Sequence, residues 1–458
     1  MAATRHSALA RCGRHLPRLY HHEHRGFHSS PISIVRQQQP QRGFSSSRSL
    51  ASPVLLSNTN IQDIRADLLE RPEQLTFDTL SPTPSFLLDV SLADYLGVSP
   101  SKANRFAGLR PEPRYPWSSA AVSAGTEEED DAAAAAAAAA GGGAPADPYA
   151  TLKQGYHLIH FPLALPPSRL CPDGTDPYHS PGLGWDQVFA RRMWAGGRIE
   201  FDHQRPLRLQ PQLPGERILD VDVRGPPGEE KLFVNVLREY DWARPRLSFN
   251  HKTKENELAP TKASLEGRKG SVVEVRTLVF LRKEEEQKVH ARSESSIDTA
   301  KLIKVPFEPT FKLSLVPDRT LLFHFSALSY NAHLIHLDER YSQDVEGRPG
   351  LLVHGPLCLI LMLKVLRRSH RERQAKKKEA NNNNSNNKEK TKKSSSDEEN
   401  EELLVSKIEY RNLAPLYVGD RMTVCVRSPN GTGHAQRHDV WIENQHGGLC
   451  VKGTVVTV

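Results

Sequence analysis

Residues 353–366 form the one long apolar helix candidate in the chain, and they stand among segments that read as strands. Residues 271–281 run Ser-Val-Val-Glu-Val-Arg-Thr-Leu-Val-Phe-Leu, with Glu274 and Arg276 at alternate positions, the pattern of a strand covered on one face. Residues 231–237 read likewise, and 321–326 look like a further strand leading into a dense cluster of His and Asn. Later candidates are 406–411, 421–427 and 451–458, the last following a turn at Gly447-Gly448. One helix embedded in a mostly antiparallel sheet is an α+β pattern, without the regular strand–helix alternation of a doubly wound fold.

Two stretches interrupt this body. Residues 124–147 contain five consecutive acids (Glu127 to Asp131), nine alanines (Ala132 to Ala140) and three glycines, and read as a surface linker. Residues 371–402 carry nine bases and eight acids around an Asn run and no apolar residue larger than alanine, so disorder is expected there. The offsetting charges also argue against a nuclear signal or nucleic-acid patch.

The formal net charge of the 458 residues is +7, with 61 Lys plus Arg against 54 Asp plus Glu, which invites a nucleic-acid reading. Residues 1–62 hold eight arginines, no lysine and the single acid Glu23, so this segment alone carries the +7 and the remaining 396 residues balance at 53 against 53. A neutral body has no large excess of charge for phosphates. The leader is Arg-rich and Ser-rich and lacks the apolar core of a secretory signal, which is the pattern of an organellar transit peptide. Arg25-Gly26-Phe27 and Arg42-Gly43-Phe44, each followed by serines, resemble mitochondrial processing sites. A transit peptide over residues 1–50 and a mitochondrial matrix address are therefore expected. The five cysteines show no CxxC pair and no metal-ligand rhythm, and the most apolar run, 357–363, is far shorter than the ~20 residues of a spanning helix.

The informative stretch runs from Phe325 to Pro356. Asn331, His333 and His336 bring two imidazoles and an amide within six residues, and Gly355-Pro356 opens the apolar helix. A helix amino terminus offers unpaired N–H groups and partial positive charge, which suits a thioester oxygen that becomes enolate-like. Imidazole suits the matching proton transfers. Taken singly, each residue is more simply a satisfied polar side chain or a turn. Taken together, they can support addition or removal of water next to a thioester carbonyl.

The arrangement resembles the MaoC-like, or hydratase-2, branch of the hot-dog fold superfamily. Its motif reads roughly Asp-x-Asn-Pro-x-His-x-Asp, followed by Val-His-Gly at the start of a central helix. Asn331, His333, His336 and Asp338 hold the matching spacing, and Val353-His354-Gly355 supplies the second half. Asn331 stands where that family has its catalytic Asp, and His333 where it has Asn. Asn-x-His-x-Ile-His, with Glu346-Gly347 and Pro349-Gly350 after it, resembles a narrower subgroup, the mitochondrial 3-hydroxyacyl-thioester dehydratases (type 2) with the mesaconyl- and itaconyl-CoA hydratases. The segment from Arg191 to Gly197, with Arg198 and Phe201 after it, and the closing segment from Leu413 look like the two ends of the same subgroup.

The resemblance implies a double hot-dog fold: an amino-terminal unit over 60–290 and a catalytic unit over 305–458. It implies a hydro-lyase that interconverts (R)-3-hydroxyacyl and trans-2-enoyl thioesters. Gly355 N–H would hold the thioester oxygen, His336 would exchange the proton, Asn331 would orient substrate or water, and His333 would fill the role of the missing Asp. Tyr330, Asp338, His354 and Arg198 are the implied substrate-binding residues. The implied partner is an acyl carrier protein in type II fatty-acid synthesis or a CoA thioester. A homodimer is compatible with the resemblance, no metal or redox cofactor is implied, and neither nucleic acid nor stable membrane insertion is expected. Two alternatives stand beside this: hydration of a branched dicarboxylic acyl-CoA, with Arg191, Arg192 or Arg198 on the distal carboxylate, and a non-catalytic matrix protein that kept the hot-dog shape.

Overall fold

Apolar and β-branched residues alternating with charged ones build an extended antiparallel sheet, and the apolar helix packs against it. The structure, a computed structural model, describes residues 56–98, 151–182, 188–240, 246–250, 255–259, 270–282, 303–305, 307–384, 403–429 and 435–458. The chain divides into two units, 1–52 and 53–458, and every described residue lies in the second. The leader and the 124–147 stretch fall outside the described residues. In chain order the elements are α1 (Asn58–Leu69), β1 (Gln74–Leu75), β2 (Asp78–Thr79), α2 (Pro82–Ala93), β3 (Arg191–Phe201), β4 (Pro211–Gln212), β5 (Gly215–Arg224), β6 (Lys231–Tyr240), β7 (Arg246–Asn250), β8 (Glu255–Ala259) and β9 (Val272–Leu281). They continue with β10 (Phe311–Leu315), α3 (Arg319–Ser329), α4 (Gly355–Asn384), β11 (Val405–Asn412), β12 (Met422–Arg427), β13 (Gln436–Glu443) and β14 (Leu449–Thr457).

Ten strands join in the order β1-β5-β6-β9-β3-β11-β14-β13-β12-β10. Every neighbouring pair is antiparallel. The strands from β1 to β3 in that order precede residue 282, and those from β11 to β10 follow residue 310, so the two sets meet at the single seam β3–β11. Arg411 lies opposite Gly196 there, and Lys407 opposite Glu200. Gly196 sits at φ 154° beside a bulge in β3. A Cβ on Gly196 would run into the Tyr410 carbonyl, and one on Gly197 into that of Val275, so the glycine pair lets both neighbouring strands close on β3.

From Leu357 to Leu366, every residue of α4 except Lys364 is apolar and at most 3% exposed. A helix apolar all round belongs in a core, and each Leu or Ile so buried contributes roughly 1.5–3 kcal/mol. Ile408, Val424, Val440 and Val455 of the sheet close around it. Lys364 is neutralised by Asp89 of α2 at 2.5 Å. A sheet packed around one long buried helix is the hot-dog arrangement. A smaller core forms where Ile64 and Leu68 of α1 meet Ile218, Val221, Leu232 and Val234 of β5 and β6. Among the described residues, no helix is long and apolar enough to cross a membrane.

Two expectations are corrected. Residues 321–326 are helical, in α3, because Asp318 caps Leu321 N–H at 2.8 Å and Leu321, Leu322, Phe325 and Ser326 share one buried face at helical spacing. Residues 371–384, the first part of the 371–402 stretch expected to be disordered, continue α4, and 385–402 fall outside the described residues. Once the apolar half has formed the helix, extension through Arg, Glu, Gln, Lys and Ala costs little. Arg367 also anchors it through the Gln154 carbonyl and Oε1, at 3.3 and 3.0 Å, and Arg368 pairs with Glu372 at 3.0 Å.

Candidate active site

The His-rich loop is shaped by the way α3 ends. Tyr330 takes the left-handed conformation, φ 51° and ψ 37°, and its N–H returns to Ala327 and Ser326. Asn331 N–H donates to the Ser326 carbonyl at 2.9 Å, and Asn331 Oδ1 accepts from His333 N–H at 3.1 Å. The chain then makes one 3-10 turn, Leu334–His336. Leu334 N–H donates to the Asp173 carbonyl at 2.9 Å, tying this turn to residues 171–175 of the amino-terminal half. Gly174 there has φ 82°, and a Cβ would meet the Ala332 carbonyl, so only glycine allows the approach.

Three imidazoles gather on this frame. His336 Nδ1 lies 2.8 Å from the Leu352 carbonyl. A carbonyl only accepts, so Nδ1 carries the proton and Nε2 keeps its lone pair. His354 stacks on His336 with ring centres 3.7 Å apart, and its Nε2 bonds Ser326 Oγ at 2.8 Å. His333 meets His336 edge-on with centres 5.6 Å apart. Burial pushes His336 down to about 4, with Arg348 adding to the effect and the Leu352 bond opposing it. Burial, then His336, Arg192 and Arg348, hold His333 well below its usual value, and burial with its two imidazole neighbours does the same to His354. All three are neutral at pH 7.

A cavity of about 670 Å³ opens on this group. Tyr330, Asn331, His333, His336 and Gly355 line it, and so does Asn412, whose Nδ2 donates to the Trp194 carbonyl at 2.7 Å while its buried Oδ1 lacks a partner. Gly355 and Leu357, in the first turn of α4, have backbone N–H groups without an intrahelical acceptor. The amino-terminal half supplies Asp176, His179, Arg192, Glu216, Arg238 and Arg276. These charges are compensated: Arg276 pairs with Glu274 at 3.0 Å and lies 4.1 Å above the Trp194 ring, and Arg238 Nε is 2.7 Å from Glu216. His179 sits 3.2 Å from Asp176 and 2.8 Å from Glu216. Burial opposes its charge, yet the two carboxylates lift it to about 9.

Of the residues singled out in the sequence, Tyr330, Asn331, His333, His336 and Gly355 meet in the cavity wall. His354 is 0% exposed beneath His336 and outside the wall. Asp338 caps Tyr341 N–H at 3.0 Å, and Arg198 lies on β3 opposite Glu409; neither lines the cavity. Arg191 is committed to Glu346 at 3.0 Å, whereas Arg192 reaches the wall. Sequence reasoning missed Asp173, His179, Arg238, Arg276 and Asn412. Pro172-Asp173-Gly174 is a recognisable turn signal, but nothing in the spacing says that it closes on residues some 160 positions later.

The fold is of the hot-dog class, and this wall sets neutral imidazoles beside a helix amino terminus. The family model for hydroxyacyl-thioester dehydratase type 2 matches residues 155–418, more than half of the chain, and the chain belongs to that family of hydro-lyases. It is 26% identical over 284 residues to the mitochondrial hydroxyacyl-thioester dehydratase type 2 of Schizosaccharomyces pombe, covering 60% of this chain and 78% of that one. It is 31% identical over 221 residues to a mesaconyl-C(4)-CoA hydratase of Chloroflexus aurantiacus, covering 48% of this chain and 65% of the relative. Among solved structures, a MaoC-like dehydratase from Phytophthora capsici superposes with a TM-score of 0.44 at 11% identity, over 85% of this chain and 96% of that one.

Proposed function

We propose that the chain interconverts (R)-3-hydroxyacyl and trans-2-enoyl thioesters, with the acyl group in the cavity. The observation that carries this is His336, held through Nδ1 by the Leu352 carbonyl so that Nε2 is the basic atom, in the same wall as Gly355 at the start of α4. In dehydration, His336 Nε2 takes the C2 proton while the thioester oxygen gathers charge at the Gly355 N–H. Asn331 orients the substrate, His333 returns a proton to the departing hydroxyl, and Tyr330 contacts the substrate. One proton and one water move, so the scheme calls on no metal or redox cofactor.

We read the two strand sets as tandem hot-dog units, over 60–290 and 305–458, the first supplying tunnel wall and the second the chemistry. The Arg-rich leader supports a mitochondrial matrix address, in line with the name of the fission-yeast relative. There, acyl carrier protein in type II fatty-acid synthesis is the favoured carrier. A second reading, a dicarboxylic acyl-CoA substrate, draws on Arg192, Arg238 and Arg276 in the cavity wall, although each already faces a carboxylate.

The test offers protein lacking residues 1–50 a panel of thioesters on carrier protein and on CoA, following enoyl absorbance. Turnover of (R)-3-hydroxyacyl substrates, fastest on carrier protein, is the expected result. Preference for a dicarboxylic CoA ester moves the conclusion to the second reading, and no turnover of any acyl thioester overturns both.

A further inference from the structure

Asn331 lines the cavity wall with His336, and an amide can neither give nor take the proton. The 171–175 turn brings a carboxylate to the site. Asp173 Oδ1 is used locally, accepting from Thr175 N–H at 2.9 Å and from Thr175 Oγ at 2.6 Å. Its Oδ2 lies 3.6 Å from His333 Nε2, a buried nitrogen with no hydrogen-bond partner. The backbone fixes the encounter from both sides, through Leu334 N–H on the Asp173 carbonyl and through the glycine-only contact of Gly174 with Ala332. This separation is just beyond hydrogen-bond reach, and hydrogen bonds between catalytic groups commonly shorten when substrate binds.

We propose that Asp173 is a positioning residue that makes His333 the second acid–base group: it holds the Nε2 proton and balances the imidazolium, so that Nδ1–H serves the substrate hydroxyl. This rests on the dehydratase reading above. The step starts from His333 as the imidazolium, the minor form at neutral pH, with Nε2–H towards Asp173 and Nδ1–H towards the substrate. His336 Nε2 takes the C2 proton, the C2–H electron pair becomes the C2–C3 double bond, and the C3–O bond breaks. His333 Nδ1 gives its proton to the departing oxygen, and one water leaves. The proton then passes from His336 back to His333 through solvent, and hydration runs the same steps in reverse. The groups that face His333 are Asp173 from the turn, His336 from its own 3-10 turn, Arg192 from β3, Arg348 from the loop ahead of α4, and His354 beneath. Asp173 is the carboxylate in this set, 3.6 Å from Nε2.

Asp173→Asn keeps the Oδ1 acceptor of the turn and removes the charge, so fold and chemistry separate. In the full-length protein, dehydration kcat is expected to fall about 10- to 100-fold near pH 8 with little change in KM, because an opposite charge at this distance is worth about one to two pK units. The deficit narrows as pH is lowered and both proteins protonate His333. In a His333→Gln background the same change costs less than about twofold, since groups acting as one unit are not additive. A deficit equal at every pH, losses that multiply in the double variant, or an Asp173→Asn protein within twofold of the native one would each overturn the proposal. 15N-imidazole spectra give a readout independent of turnover: native His333 should be the Nε2–H tautomer, and an Nδ1–H tautomer overturns the proposal. Native turnover in His336→Ala would instead overturn the dehydratase reading, while the tautomer still decides the role of Asp173.

Discussion

The two halves of the cavity wall are both buried but are built on opposite electrostatic principles. The carboxy-terminal half presents His333 and His336 with His354 behind them, all held neutral, and among the described residues no carboxylate of that half pairs with the rings. The amino-terminal half presents Arg192, Arg238, Arg276 and a cationic His179, each facing Asp176, Glu216 or Glu274. Neutral imidazoles can change charge during a reaction; compensated ion pairs resist it. In the proposed mechanism one half moves protons and the other holds a shape. Asp173 is where the amino-terminal half reaches across to the other.

This contrast can be broken in graded ways. His336→Ala should lower kcat by about 100- to 10,000-fold, the range for a positioned general base, with the fold retained by circular dichroism. Glu274→Ala should do the reverse, costing about 3–5 kcal/mol of stability in denaturant titration because Arg276 is left buried without its partner. The pH dependence of stability should carry both signs. His336, lowered in the fold from 6.5 to about 4, contributes stability that is present above pH 6.5 and lost as pH falls towards 4. His179, raised to about 9, contributes stability that is full below pH 6.5 and lost as pH rises through 9. His179→Asn should therefore flatten only the alkaline limb, by about 2–3 kcal/mol, as followed by thermal melts across pH. Ser326→Ala removes the Nε2 partner of His354 and should cost about 1–2 kcal/mol, measured by the same melts.

Legibility in the sequence followed the range of the interaction. Residues 271–281 and 353–366 were readable because alternation and an unbroken apolar run are local properties, and β9 and the apolar half of α4 lie where they were expected. Residues 321–326 were misread because six residues cannot separate a short strand from a helix turn when the deciding group, the Asp318 cap, lies outside the window. The first parts of β3 and β5 carry Arg191, Arg192 and Glu216 in place of clean alternation, since these three charges are buried or half-buried and paired. Asn331, His333, His336 and Gly355, which line the cavity, could be grouped from the sequence because 25 residues span them. Asp173, Arg238 and Arg276 arrive through sheet pairing and loop packing, which no spacing rule encodes.

The most direct test of His336 as the base is deuterium incorporation at C2 when native and His336→Ala proteins hydrate an enoyl thioester in heavy water. The native protein should place one solvent deuterium stereospecifically at C2, and the variant should lose that incorporation together with turnover. Stereospecific incorporation by the variant at the native rate would contradict a proton transfer through His336.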